Sequence, residues 1–170
     1  EHSSLFKKIL AKRNIVDIDN FLSPSHPLDI SLFDLGIKKT DFKKALSLIK
    51  QAIKNKPPMV IYGDYDADGI TATAILWETL YYSGINSRPF IPHRQSHGYG
   101  LSIAGIDAVI QEYHPSLIIC VDNGIVAREA IKYAQQKKID VIVIDHHLKD
   151  TTKNPANAVI HSIATAGAGL

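Results

Sequence analysis

The stretch VIYGDYDADGITATAIL, from Val60 to Leu76, joins two apolar runs through a segment that holds three carboxylates within five residues. The first run is typical of a buried strand, and the second has the spacing of a helix. Asp64, Asp66 and Asp68 lie between them. Carboxylates this close repel one another unless a cation compensates their charge. The stretch therefore predicts a strand, an acidic turn and a helix.

The same alternation continues along the chain. The runs that predict strands are MVIYGD, RPFIP, LIICVD and VIVIDHH. Helical spacing predicts helices over residues 71–82, 103–113 and 126–137. Strands rich in Val and Ile that alternate with helices form βαβ units. We therefore expect an α/β fold, in which a parallel β-sheet carries helices on both faces.

The part of the chain before this alternation has a different character. SSLFKKILAKRN is amphipathic, FLSPSHPLDISLFDLG is interrupted by prolines, and DFKKALSLIKQAIKNK repeats apolar residues at helical spacing. We therefore predict a short helical N-terminal segment over residues 1–56 and a separate α/β domain over residues 57–170.

The composition sets broad limits on the protein. With 170 residues, of which 45% are hydrophobic, the chain fits one globular domain and a small appendage. No apolar run approaches the roughly 18 residues that span a bilayer, so we expect no membrane association. Cys120 lies in an apolar run and is expected in the core of a protein from a reducing, cytoplasmic compartment. The net charge of +2 permits a polyanionic partner without requiring one.

Three of the predicted strands lead into an aspartate, namely Asp64, Asp122 and Asp145. Ligands of open parallel sheets bind beyond the carboxyl ends of the strands, and right-handed crossovers place those ends at one edge. We therefore expect these acids to converge with His146 and His147. Each aspartate alone could simply cap the next helix, but three coincidences disfavour that explanation.

Several carboxylates in one site predict a divalent cation, or a pair of them. Carboxylate oxygens suit Mg²⁺ or Mn²⁺, and an imidazole among them favours Mn²⁺. A calcium loop is the alternative, because DYDADG has the composition of the start of an EF-hand. However, the twelfth position from Asp64 is Ile75 instead of glutamate, and a strand precedes the loop.

A second informative stretch, IPHRQSHGYGLS, follows the second predicted strand. Arg94 can bind a phosphate through two parallel hydrogen bonds, and Tyr99 offers a face on which a base can stack. His93 lies beside Arg94 on the same loop. A solvated loop of ordinary polar residues is the alternative interpretation.

The motifs GDYDADG, VDNG and DHH occur in this order and resemble the first three motifs of the DHH phosphoesterase superfamily. FLSP, the helix that follows it and IPHRQSHGYGLS further resemble the N-terminal half of the RecJ exonucleases in that superfamily. The resemblance covers almost the whole chain. It implies a phosphodiesterase with two ions, usually Mn²⁺, that degrades single-stranded DNA from the 5′ end during DNA repair and recombination. DNA-repair or replication proteins are candidate partners.

The resemblance also implies roles for individual residues. The implied metal ligands are Asp64, Asp66, Asp68, Asp122 and His146. The implied catalytic residues are Asp122, His146 and His147, and the implied substrate-binding residues are Arg94, Tyr99, His93 and His147. Asp122 would bridge the ions, and Asp145 would orient its neighbours without binding an ion. His147 would contact the scissile phosphate or assist proton transfer.

Two features depart from the superfamily pattern. Many members have a histidine four residues before Asp66, where this chain has Tyr62, so Asp64 is expected to substitute for it. The superfamily's fourth motif supplies a further aspartate, but none follows Asp150 here, and the ending AVIHSIATAGAGL is shorter than the RecJ connection. The domain over 57–170 is therefore expected to be a DHH catalytic domain truncated before its fourth motif. Such a fragment would lack one ligand and could be inactive alone.

Two other functions remain open. One is a DHH-family phosphodiesterase that acts on short oligonucleotides, cyclic dinucleotides or pyrophosphate, although HRQSHGYGLS favours the RecJ type. The other is a non-catalytic DHH-like module that binds nucleic acid or a replication protein. Relatives of that kind lose acids from the motifs, whereas the first three motifs are complete in this sequence.

Overall fold

The computed structural model describes residues 3–55 and 57–162. These residues divide into two compact units, one that ends at Asp34 and one that begins at Leu35. The first unit contains α1 (Ser4–Lys12), α2 (Ile18–Leu22) and a 3₁₀ turn at Pro27–Asp29. The expected N-terminal helices are therefore present, while the predicted division into domains at residue 56 stays a prediction.

The second unit is a parallel sheet with helices between its strands. Its strands are β1 (Met59–Tyr62), β2 (Ser87–Phe90), β3 (Leu117–Val121), β4 (Asp140–Asp145) and β5 (Ala158–His161). Its helices are α3 (Lys39–Asn55), α4 (Ala67–Tyr82), α5 (Arg94–His97), α6 (Ile103–Tyr113) and α7 (Arg128–Gln136). The strand order is β2-β1-β3-β4-β5, and each neighbouring pair is parallel. The predicted α/β fold is confirmed.

Helices cover both faces of the sheet because alternate residues of each strand point to opposite sides. Val60 and Tyr62 of β1 lie in an apolar cluster with residues of α6 and α7. Met59 and Ile61 lie in a second cluster with residues of α3 and α4. All four are buried, and full burial of each such side chain contributes about 1.5–3 kcal/mol. The strands can therefore be apolar throughout, as their sequences are.

The structure differs from the sequence prediction in three elements. Helix α4 begins at Ala67 instead of residue 71, because the Asp66 carboxylate caps it by accepting the Gly69 N–H at 2.9 Å. Helix α5 lies in the predicted loop, and the edge strand β5 is not predicted at all. Cys120 is buried as predicted. Across residues 3–55 and 57–162, the helices lack the length and apolar character of a membrane span.

Tyr62, at the superfamily's histidine position, holds the loop that follows β2. Its phenol is buried, and its hydroxyl donates to the Gly100 carbonyl at 3.1 Å. Burial raises the pKa of Tyr62 well above its ordinary value, so the hydroxyl keeps its proton. Gly105 of α6 faces the same hydroxyl, and a Cβ added there would come within 2.0 Å of it. Tyr62 therefore packs in the core and fixes the loop at Gly100.

We predict that Gly105→Ala destabilises the protein by about 1–3 kcal/mol, the usual cost of overpacking a core. The added methyl group must displace the Tyr62 hydroxyl and break its bond to Gly100. Urea unfolding measures the loss. In the double variant Tyr62→Phe/Gly105→Ala the obstructing hydroxyl is gone, so the total loss should be smaller than the sum of the two single losses. Strict additivity would contradict this packing.

Candidate metal centre

Asp122, His146 and His147 meet where β3 and β4 end. Val121 and Ile144 are paired in the β3–β4 ladder, so the residues that follow each strand emerge side by side. Asp122 Oδ1 lies 2.9 Å from His146 Nε2. One ligand atom from each of the three residues fits within 4.8 Å of the others. A carboxylate and two imidazoles at this separation can bind a divalent transition metal.

Asp122 leaves the strand in an uncommon backbone conformation. Its φ is +61°, a region that residues other than glycine rarely adopt and that costs free energy. Its N–H nevertheless continues the sheet by donating to the Ile144 carbonyl at 2.9 Å. The position of the carboxylate next to the histidines is therefore fixed by the sheet backbone.

The charge of Asp122 is poorly compensated by the protein. Burial raises its pKa, and the negative charge of Asp66 raises it further, while His147 and His146 lower it. Asp122 Oδ2 is buried and has no hydrogen-bond partner among the described residues. A buried carboxylate oxygen without a donor is costly, and a cation would supply the missing partner. The donor set therefore fits a divalent ion.

Asp145 differs from Asp122 because its carboxylate is fully used by hydrogen bonds. Oδ1 accepts the His147 N–H at 3.0 Å and lies 2.8 Å from His147 Nδ1, while Oδ2 accepts the Ile125 N–H at 2.9 Å. Burial raises the pKa of Asp145, but these hydrogen bonds outweigh burial and lower it overall. The hydrogen bond between His147 Nδ1 and the Asp145 carboxylate also raises the pKa of His147. With Nδ1 held, Nε2 is the His147 nitrogen left for a ligand.

The acidic turn after β1 contributes a second buried carboxylate, that of Asp64. Asp64 is completely buried, and its Oδ1 accepts the Tyr65 N–H at 2.7 Å. Its Oδ2 has no hydrogen-bond partner in the part of the chain that the structure describes. The start of α4 packs directly on this turn, since a Cβ at Gly69 would lie 2.5 Å from the Asp64 backbone nitrogen. Asp64 is therefore held rigidly.

The other two acids of the turn lie at the rim of the site. Asp66 is exposed and close enough to Asp122 for its charge to raise the pKa of that residue. Asp68 lines an open groove together with Asp122, Asp145 and His146. The group within 4.8 Å contains His147 and none of the three acids of the turn. The ligand set that the resemblance implies, including all three, stays a prediction.

Tyr99 lies beside the acids. It lines a groove with Asp122, Asp145 and His147. Its ring meets that of Tyr65 edge to face, with centroids 5.8 Å apart. Partial burial raises the pKa of Tyr99, and the Asp64 charge raises it further.

Arg94 begins the short helix α5, and His93 directly precedes it, in the segment that leads to Tyr99. The Arg94 guanidinium is 5.6 Å from the centre of the Tyr65 ring, which places a cation beside the aromatic pair. His93 contacts the helix that follows it, because its backbone N–H donates to His97 Nδ1 at 3.0 Å. Arg94 is thus linked to the acidic turn through an aromatic ring, whereas His93 has local contacts. Their substrate-binding roles stay predictions.

Two residues near the acids, Tyr65 and Asn123, are not among the sequence-predicted site residues. Tyr65 stands between two aspartates in DYD, and Asn123 follows Asp122 in VDNG. Their positions inside the motifs are the signal that could have identified them. No local pattern reveals the contacts of Tyr65 with Tyr99 and of Asn123 with Tyr62, because those partners are distant in sequence.

Comparison with known proteins identifies the family. A family model described as "DHH family, N-terminal domain" matches residues 58–170, which include the three motifs and the acids and histidines described above. The chain belongs to the DHH family. Its Asp, His, His group lies in the DHH domain, at the carboxyl ends of the parallel strands.

The DHH domain is related to the N-terminal region of RecJ. The chain is 34% identical over 157 residues to the single-stranded-DNA-specific exonuclease RecJ of Bacillus subtilis (strain 168), which covers 92% of this chain and 20% of that protein. It is 35% identical over 173 residues to RecJ of Haemophilus influenzae, covering 91% and 30% respectively. The chain thus spans less than a third of the length of these curated relatives.

A solved structure shares the fold. The crystal structure of exonuclease RecJ bound to manganese matches with a TM-score of 0.65 and 33% sequence identity. The match covers 78% of this chain and 32% of that one. A related protein of the same fold therefore binds a divalent transition metal.

Proposed function

We propose that this chain supplies the metal centre of a RecJ-like exonuclease, which hydrolyses single-stranded DNA in the 5′ to 3′ direction during DNA repair and recombination. One observation carries the proposal: Asp122, His146 and His147 converge at the ends of β3 and β4, and a carboxylate oxygen among them is buried without a partner among the residues that the structure describes. The relationship to proteins named as single-stranded-DNA-specific exonucleases supports this substrate.

The proposed ions are two Mn²⁺, or Mg²⁺ in their place. The residues proposed to hold them are Asp64, Asp66, Asp68, Asp122 and His146. Bound ions would supply Lewis acidity, which would let a water lose its proton near neutral pH so that it can attack, and would polarise the phosphodiester. Asp64 and Asp122 each bring a buried oxygen that needs a positive partner, so they are the strongest candidates.

His147 is proposed to contact the substrate phosphate or to assist proton transfer. Asp145 holds His147 Nδ1 at 2.8 Å and fixes the orientation of the ring. This hydrogen bond raises the pKa of His147, so the imidazole remains protonated at a higher pH than an isolated one. A cationic ring with a free Nε2–H can donate to a phosphate oxygen or to the leaving oxygen. Asp145 thereby acts through His147.

The proposed DNA contacts follow the grooves beside the acids. Tyr99 offers an exposed ring for a base in the groove that it shares with Asp122 and His147. Arg94, exposed at the start of α5, is proposed to bind a backbone phosphate. His93 is proposed as a further polar contact.

The domain organisation predicted from the sequence belongs to the same proposal: a helical segment over residues 1–56 and the DHH catalytic domain over 57–170. The stretch from 163 to 170, where the sequence differs from the RecJ connection, lies outside the described residues. A cytoplasmic location and contacts with DNA-repair or replication proteins are also proposed on the resemblance.

We predict that Asp122→Ala removes both hydrolysis and metal binding in the intact protein, with activity falling roughly 10³-fold or more. The change deletes the carboxylate that joins β3 to the histidines. Degradation of 5′-labelled single-stranded DNA with Mn²⁺ measures the first effect, and equilibrium dialysis of Mn²⁺ measures the second. Dinucleotides assayed in parallel distinguish an enzyme for short substrates.

The matched control for this experiment is Asp107→Ala. Asp107 is a carboxylate on α6 that accepts a hydrogen bond from the Tyr133 hydroxyl at 2.6 Å. Its removal should leave both readouts unchanged. Mn²⁺-dependent hydrolysis retained by the Asp122 variant would refute the proposed site.

We predict that Arg94→Ala weakens binding of single-stranded DNA roughly tenfold, since a hydrogen bond to a charged group contributes about 1.5 kcal/mol. Loss of one phosphate contact should also reduce the slope of log affinity against log salt by about one. Fluorescence anisotropy across a salt series measures both quantities.

Arg88→Ala is the control for Arg94→Ala. Arg88 lies in β2 and donates to the Ser87 carbonyl at 3.0 Å, towards the opposite end of that strand. This variant should bind DNA like the wild type. An unchanged affinity and salt slope for Arg94→Ala would show that Arg94 contacts no phosphate.

A further inference from the structure

Asn123 links the ends of two strands beside the metal centre. Its side chain is only 4% exposed. Its Nδ2 group donates to the carbonyl of Tyr62 at 3.2 Å and to that of Val121 at 2.9 Å. Tyr62 is the last residue of β1, and Val121 is the last residue of β3. One amide group therefore bridges the two strands at the edge where the acids lie.

The bridge stands where the backbone ladder between these strands ends. The last pair in the β1–β3 ladder is Tyr62 with Cys120. Beyond it, Asp122 is joined to β4 by its own N–H, which donates to the Ile144 carbonyl at 2.9 Å. Towards β1, the link is the Asn123 side chain. The backbone thus fixes Asp122 relative to the histidines, and Asn123 fixes it relative to the acidic turn.

The link joins two strand ends that each lead into a buried acid. Asp64 and Asp122 each have a buried Oδ2 without a hydrogen-bond partner within the described ranges. Like charges at the ends of neighbouring strands repel, most strongly when little water screens them. An amide supplies two donors to carbonyl groups and adds no charge, so it holds the strand ends without competing with a cation for the carboxylates.

The side-chain oxygen of Asn123 supports the idea that the residue is there for its two donated hydrogen bonds. Oδ1 is buried and has no hydrogen-bond partner in residues 3–55 and 57–162. A half-satisfied buried amide is a cost to folding, which an apolar side chain of similar size would avoid. The two donated hydrogen bonds are therefore the feature that sets asparagine apart from an apolar residue here.

We infer that Asn123 is a positioning residue that sets the gap between Asp64 and Asp122 and so prearranges the metal centre. The inference rests on the proposed function, because it assumes that these two acids share divalent ions. The Asn123 side chain donates to the carbonyl groups at the two strand ends. It acts through the strand ends that carry the ligands.

The test compares Mn²⁺ binding by the intact wild-type protein, Asn123→Ala and a matched control, Asn157→Ala. Asn157 donates to Asp140 at 2.5 Å and accepts the Val141 N–H at 3.0 Å, at the opposite end of β4. Isothermal titration and the electron paramagnetic resonance signal of free Mn²⁺ give the affinity and the number of ions. Urea unfolding of the metal-free proteins gives their stability.

Both variants are expected to lose stability, but only Asn123→Ala should lose Mn²⁺ affinity, by roughly 10–100-fold as for other residues that orient metal ligands. Asn123→Ser, which keeps one donor, should fall between Asn123→Ala and the wild type. Wild-type affinity in a folded Asn123 variant would overturn the inference. Failure of both Asn123 variants to fold would also overturn it, because the amide would then hold the sheet as a whole. A wild-type protein that binds no Mn²⁺ would instead overturn the proposed function.

Discussion

The site depends on the parallel pairing of β3 with β4. This register brings Asp122 to within 2.9 Å of His146, although the two residues are far apart in sequence. Parallel strands also end at the same edge, so β1 delivers its acidic turn to that edge as well. Apolar clusters on both faces hold the sheet in this register. Hydrophobic burial thus provides the stability that allows charges to be placed close together at one edge.

The protein treats its buried acids in two different ways. Asp145 receives two backbone N–H groups and a histidine ring, and these bonds lower its pKa despite burial. Asp64 and Asp122 each keep a buried oxygen without a partner among the described residues. The hydrogen-bonded arrangement of Asp145 suits a carboxylate that orients a neighbouring side chain. The arrangement of Asp64 and Asp122 suits carboxylates that bind a cation. The division of labour proposed for the DHH domain follows from this difference in hydrogen bonding.

Much of the fold could be predicted because its signals are local. Strings of Val and Ile marked β1, β3 and β4, and an aspartate after each strand marked the edge of the site. The edge strand β5 was missed because no helix separates it from β4, so the alternation of strands and helices did not indicate it. The extra turn at the start of α4 comes from the Asp66 cap. Tyr62 is hydrogen-bonded to Gly100, which is 38 positions away in the sequence. Asn123 is hydrogen-bonded to Tyr62, which is 61 positions away. No periodicity in the sequence reports such contacts.

The acids and histidines at the sheet edge are proposed to bind divalent ions. Anomalous diffraction from a crystal of the intact protein soaked in Mn²⁺ would locate such ions. We expect strong peaks in contact with Asp122 and His146, with Asp64 and the rest of the acidic turn beside them. Peaks confined to other surfaces, with Asp122 and His146 still bonded directly to each other, would contradict the proposal.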